Sequence, residues 1–232
     1  MSRSFSLVDS KVAEAAFFLE KIPDYGYKTF EMQCYLSAFV SASRTVTFSL
    51  QAVLKNVTGF DEWYGPHQEM LKSDELARFF QEFRRINQHI GENLAMAGTC
   101  SPDQQPQHWF MPTPDIPEVP TDDVFTACRE YFLRALDLIY DCYVEFGPEI
   151  DEQQRYTAEY FSSIGKKIED AEEELGFPRG WTDIGDPNSL EYRWQLIRDQ
   201  STGCEINDVF LKYLGKTTPI PDRLPSYEAN GT

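Results

Sequence analysis

Between residues 102 and 120 the chain carries six prolines, at 102, 106, 112, 114, 117 and 120. Each lacks a backbone donor and clashes with the preceding turn of a helix, so no helix can pass through this stretch. It divides a chain of 232 residues whose other long segments repeat their apolar residues at helical spacing. The stretch reads as an extended crossing loop, or equally as a lid, with a short strand around His108–Met111.

Three helices are expected before it. The first runs roughly over 9–22, with Asp9 and Ser10 as N-caps and Pro23 as its stop. The second, roughly 27–56, places Tyr35, Leu36, Phe39, Val40, Val46, Leu50, Val53 and Leu54 at helical spacing. Its middle, Ser37, Ala38, Ser41, Ala42 and Ser43, is small enough for another helix to approach closely. A break follows over 56–65, and a third helix starts near Ser73–Asp74 and runs to about Asn93, with Leu76, Phe79, Phe83, Ile86 and Ile90 on one face.

Beyond the prolines, a fourth helix begins at the Thr121–Asp122–Asp123 cap and stops at Gly147–Pro148. A fifth spans roughly 151–175, with Tyr156, Tyr160, Ile164 and Ile168 as its stripe. From Phe177 the chain reads as irregular, with short helices over 189–199 and 205–214. With no convincing alternating strand and no long polar linker, the expected fold is all-α: a single bundle of about five long helices with a proline-rich crossing loop. The bundle takes residues 1–176, with its loop at 97–120, and residues 177–232 form a C-terminal extension packed on it, ending in a loose tail from about 221.

Hydrophobic residues are 41% of the chain and charged residues 25%, which is a globular composition. The formal net charge is −17. So acidic a surface repels nucleic acid at long range, and any chemistry on RNA needs a local basic pocket or one assembled by dimerisation. Five cysteines without a C-x-x-C pair argue against disulfides and zinc. Cys34, Cys128 and Cys142 fall in apolar helical patterns. The opening MSRSFSLVDSK is not a basic-then-apolar signal sequence, and Arg44 interrupts the weakly charged stretch 32–54. A cytoplasmic protein that does not enter a membrane is expected.

Chemistry is concentrated in EFRRINQHIGEN, residues 82–93. RNA cleavage by internal transesterification needs a base for the 2′-OH proton and a cation for the phosphate. Histidine as a residue type titrates near neutral pH and suits the first task, which falls to His89. Arginine, here Arg84, presents a planar fork to phosphate oxygens and suits the second. Five residues along a helix is about 140° of rotation, so the two converge on one ligand only if the helix bends or a second copy contributes. Arg85, His89 and Asn93 share a face at i, i+4 and i+8 if the helix continues that far.

The small-residue second helix, the phenylalanine-rich third helix carrying Arg-x4-His near its end, and the further helices together resemble the HEPN superfamily. That resemblance spans about residues 9–176, and its specific part is the six residues from Arg84 to His89. It implies a compact four- to five-helix bundle and a metal-independent endoribonuclease of toxin–antitoxin, phage-defence or CRISPR systems. In that superfamily the site commonly forms across a homodimer. The resemblance assigns Arg84 to the phosphate and His89 to the proton, with Arg85, Asn87 and Asn93 supporting and no metal or cofactor. RNA is the implied substrate and an antitoxin or other protein an implied partner. Arg85 stands where the superfamily usually has Asn, Asp or His, with Asn87 nearby. That departure and the acidic charge point to the alternative, a non-catalytic helical interaction or regulatory protein on the same fold. A third reading is a small-ligand bundle with its pocket under the prolines.

Other clusters have plainer readings. Asp137, Asp141 and Glu145 form a solvated stripe on the fourth helix, since no Glu-x-x-His accompanies them for a metal pair. The acidic run Glu169–Glu174 reads as a solubilising surface, and His67 and His108 as loop residues at the surface. Walker, dinucleotide-binding, serine-hydrolase and zinc-protease motifs do not occur.

Overall fold

Amphipathic segments fold as expected into helices in the computed structural model, which describes residues 4–23, 28–97 and 107–224. Among them are α1 (Ser6–Lys21), α2 (Thr29–Leu54), α3 (Phe60–Ser73), α4 (Glu75–His89) and α5 (Val124–Glu145). Four shorter helices follow: α6 (Gly147–Ile150), α7 (Glu152–Arg155), α8 (Ala158–Ser163) and α9 (Ile168–Glu174). A 3₁₀ turn at Pro187–Ser189 leads into α10 (Leu190–Asp199), and α11 is Asn207–Leu214. Strands β1 (Ala95–Ala97) and β2 (His108–Phe110) pair antiparallel, with Ala95 opposite Phe110 and Met96 opposite Trp109. The fold is all-α, with this ribbon as its only sheet among the described residues.

The chain groups into two compact units, Met1–Ile139 with Asp208–Gly215, and Tyr140–Asn207 with Lys216–Thr232. In the first, α1 packs along α2, and α2 and α3 both pack against α4. The buried side of α1 is Val8, Val12, Ala15, Ala16 and Leu19; that of α2 includes Met32, Leu36, Phe39, Val40, Val46 and Leu50. Phe80 lies at the aromatic centre, 6.4 Å from Phe39, 5.9 Å from Phe110 and 4.6 Å from Tyr131 between ring centroids. In the second unit, Tyr156, Phe161, Ile168, Ala171, Trp194 and Ile197 form one apolar cluster.

Several boundaries follow from capping. Asp74 accepts from the Ala77 amide at 2.7 Å and starts α4. Asp123 accepts from the amides of Phe125 and Thr126 and starts α5. In both cases a carboxylate satisfies first-turn amides that have no partner within the helix. The strand expected around 108–111 is β2, whose partner Ala-Met-Ala has too little β-preference to announce itself.

Other expectations are corrected. Helix α1 begins at Ser6, so Asp9 is not a cap but a buried residue in its first turn, because Val8 extends the apolar stripe backwards. The break expected over 56–65 is short: Gly59, at φ +84°, turns the chain directly into α3. Pro66 lies inside that helix, and the Phe60 and Tyr64 rings, stacked at 5.2 Å, anchor the turn before it. The expected long fifth helix over 151–175 is three short ones. Asp151 caps α7, Thr157 accepts from the Tyr160 amide to cap α8, and Gly165 at φ +70° ends α8. Each polar cap offers the backbone an alternative to continuing the helix. The third helix stops at His89, where the Ile86 carbonyl accepts from both Ile90 and Gly91, and Gly91 takes φ +82°.

Candidate functional site

That stop decides which of the expected site residues share a face. Asn93 lies beyond α4, so Arg85, His89 and Asn93 do not form one helical stripe. Asn93 Nδ2 donates to the Gln33 carbonyl at 3.4 Å, and its Oδ1 accepts from the Ala95 amide at 3.0 Å. Its position joins the strand β1 to the start of α2, and Gln33 Nε2 donates to the Ala95 carbonyl at 2.7 Å alongside.

Asn87 is likewise engaged. Its Oδ1 accepts from Ser37 Oγ at 2.6 Å, and its Nδ2 donates to the Glu92 carbonyl at 3.4 Å. The next residue, Gln88, donates to Ser41 Oγ at 2.6 Å. Serines of α2 therefore bind the polar edge of α4. These bonds hold the last turn of α4, and with it His89, in place.

His89 is exposed at the end of that turn. Arg84 is half-buried on the other side of the helix, and its Nε is fully enclosed with no hydrogen-bond partner. No ion pair ties Arg84 among the described residues. Arg85 differs: its Nε meets Glu82 Oε2 at 2.8 Å, and that carboxylate raises its pKa. Of the two adjacent arginines, only Arg84 has a charge left without a carboxylate. Arg44 on α2 is comparable, with its guanidinium 4.5 Å from the Phe48 ring centroid. Burial pushes the Tyr131 phenol above its ordinary value, and the charges of Arg44 and Arg84 both act to pull it back.

A cavity of about 840 Å³ opens between the start of α4, residues 115–122 and α5. Asp115, Glu118 and Asp122 line one side, and Glu75, Glu82 and Glu130 the other, against only Arg78 and Arg134. Arg134 is already committed to Asp74, with Nε 2.7 Å from Oδ2. The cleft is therefore acidic, and a phosphate would be repelled from it. From the proline-rich segment it is lined by residues 115–122.

Three plainer readings change. His108 is buried in β2, its Nε2 has no partner, and burial lowers its pKa against the opposing field of Asp123. His67 belongs to α3 and sits 4.5 Å from the Trp63 ring. The acidic run of α9 is an ion-pair network: Arg179 meets Asp170 and Glu173, Arg155 and Lys166 meet Glu174, and Glu172 is fully buried. Asp137, Asp141 and Glu145 are exposed, and no group of His, Cys, Asp or Glu among the described residues is arranged to hold a metal. No helix among them is long and apolar enough to cross a membrane. Cys34 is exposed rather than core, whereas Cys128 and Cys142 are buried.

Sequence reasoning reached Arg84, His89 and Asn87 through their spacing. It had no means of finding Tyr131, which α5 brings to α4 only in three dimensions. Residues 7–93 match the family described as bacteriophage lambda protein ea47. The match covers less than half of the chain, takes in most of α1 and all of α2 to α4, and contains Arg44, Arg84 and His89 but not Tyr131. No curated protein and no solved structure matches the chain significantly.

Proposed function

We propose that the protein is a HEPN-like, metal-independent endoribonuclease, with α1 to α5 as the helical bundle of that superfamily. One observation carries this reading. In a chain of 38 acidic and 21 basic residues, Arg84 has among the described residues neither a carboxylate nor a hydrogen-bond partner for its enclosed Nε, and an exposed histidine follows at the end of the same helix. An uncompensated arginine in so acidic a protein is suited to an anion supplied from outside.

In this mechanism His89 takes the proton of a ribose 2′-OH. The 2′-oxygen attacks phosphorus, the bond to the 5′-oxygen breaks, and the products carry a 2′,3′-cyclic phosphate and a 5′-hydroxyl. A proton returns to the leaving oxygen. Arg84 holds the non-bridging oxygens and offsets the charge that builds on them. Because the two side chains diverge by about 140° on α4, the arginine of one copy acts with the histidine of another in a homodimer. Arg85 joins by exchanging Glu82 for phosphate, and Asn87 and Asn93 position the turn that carries His89. The setting proposed is phage defence or a toxin–antitoxin pair in the cytoplasm, with an antitoxin or other protein as its restraint.

The alternative, a non-catalytic interaction or regulatory protein on the same fold, is favoured by the Arg85–Glu82 pair, which occupies the position where the superfamily usually has a polar neutral or histidine residue. Incubating a mixed RNA pool with the protein in EDTA separates the two. The ribonuclease reading expects cleavage that leaves 2′,3′-cyclic ends and falls at least ~100-fold in His89→Ala with its circular dichroism unchanged. Intact RNA with the folded wild type, or cleavage indifferent to His89, favours the interaction protein.

A further inference from the structure

The bonds between α2 and α4 form a ladder. Ser37 pairs with Asn87 and Ser41 with Gln88, each at 2.6 Å. The helices run antiparallel, since Gln33 bonds Asn93 and Ala95 at one end and the Phe39 ring meets Phe80 further along. One turn beyond Ser41 on α2 is Arg44; one turn back from Gln88 on α4 is Arg84. The next rung therefore brings two cations into register where the earlier rungs set neutral partners.

Apart from the Phe48 ring beside Arg44, no group among the described residues compensates them. Neither arginine has an ion pair, and the enclosed Nε of Arg84 has no acceptor. Facing this rung from α5 is Tyr131, only 9% exposed, with its ring stacked on Phe80 at 4.6 Å. Its hydroxyl makes no hydrogen bond among the described residues. Asp74, a carboxylate whose field reaches that hydroxyl, is held by Arg134 and by the Ala77 amide, each at 2.7 Å. Two guanidinium groups and an unpartnered phenol at a junction of three helices present donors of one polarity, and repulsion between the cations disfavours the arrangement unless an anion bridges them.

We propose that Arg44, Arg84 and Tyr131 form a phosphate site, in which the two guanidinium groups and the phenol hydroxyl bind the oxygens of one phosphate or phosphodiester group. The site rests on the reading of Arg84 as the phosphate contact and adds Arg44 and Tyr131 to it. Binding there needs no part of His89.

Titration of the folded protein with inorganic phosphate against chloride at constant ionic strength, by calorimetry and by the unfolding midpoint, tests it. The wild type and His89→Ala should bind phosphate equally. Arg44→Gln and Arg84→Gln should each weaken binding about tenfold or more, and Tyr131→Phe about threefold. Without phosphate, Arg44→Gln should unfold no more readily than the wild type, because it removes one of two repelling charges. Failure of RNA cleavage leaves this site standing when phosphate still binds. Absence of phosphate binding in the folded wild type overturns it, as does binding that survives both arginine changes. A loss of stability in phosphate-free Arg44→Gln also overturns it, by making Arg44 a structural cation.

Discussion

Glu172 has no exposed surface, yet its carboxylate is fully engaged. Its Oε1 accepts from the Thr182 amide at 2.8 Å and the Thr182 hydroxyl at 2.6 Å, its Oε2 from the Gly180 amide, and Arg193 lies 3.4 Å away. Burial alone would raise its pKa, but these donors outweigh burial and hold it below the ordinary 4.5. A carboxylate depressed in the folded state contributes stability that is complete above 4.5 and is lost as pH falls through that value toward the folded one. Glu172→Gln should therefore cost about 2 kcal/mol at neutral pH, and denaturant titrations should show the variant converging on the wild type as pH drops below that ordinary value. A constant difference across that range would contradict the assignment. The sequence shows Glu172 as one of several acids in a row. What makes it internal is the return of the chain through Gly180 and Thr182, a contact that local composition does not encode. Arg84 is the opposite case: its spacing to His89 is legible in the sequence, but its lack of a partner is not.

At the scale of the element, α4 carries the account, and its ends have different origins. Asp74 supplies both an N-cap and the partner of Arg134. Asp74→Asn should keep most of the cap and lose the ion pair, whereas Asp74→Ala should lose both and cost a further ~1 kcal/mol, read from chemical denaturation. Equal stability of the two variants would mean that the cap contributes nothing. The start of α4 is legible because Ser73–Asp74 precedes a regular apolar stripe; the end is misplaced because that stripe continues to Ile90, whereas Gly91 takes the left-handed conformation that stops the helix. The same blindness to polar caps joined α7, α8 and α9 into one helix. Trp63-Tyr64-Gly65-Pro66 hid α3, since glycine and proline read as a break where aromatic packing holds a helix.

For the whole molecule, the net charge of −17 and the divergence of Arg84 and His89 set the same requirement. A single copy presents an arginine and a histidine on different sides of one helix, on a body that repels RNA. Two copies related by a twofold axis would bring each arginine to the other's histidine and gather the uncompensated arginines in one cleft. The most direct test mixes two inactive proteins, Arg84→Ala and His89→Ala, under conditions that exchange subunits, and measures RNA cleavage in EDTA. Half of the dimers formed at random are mixed, and each holds one intact arginine–histidine set drawn from two copies, so about a quarter of wild-type activity should return. A mixture that exchanges subunits yet stays as inactive as its components, while the wild type cleaves, would contradict the shared site.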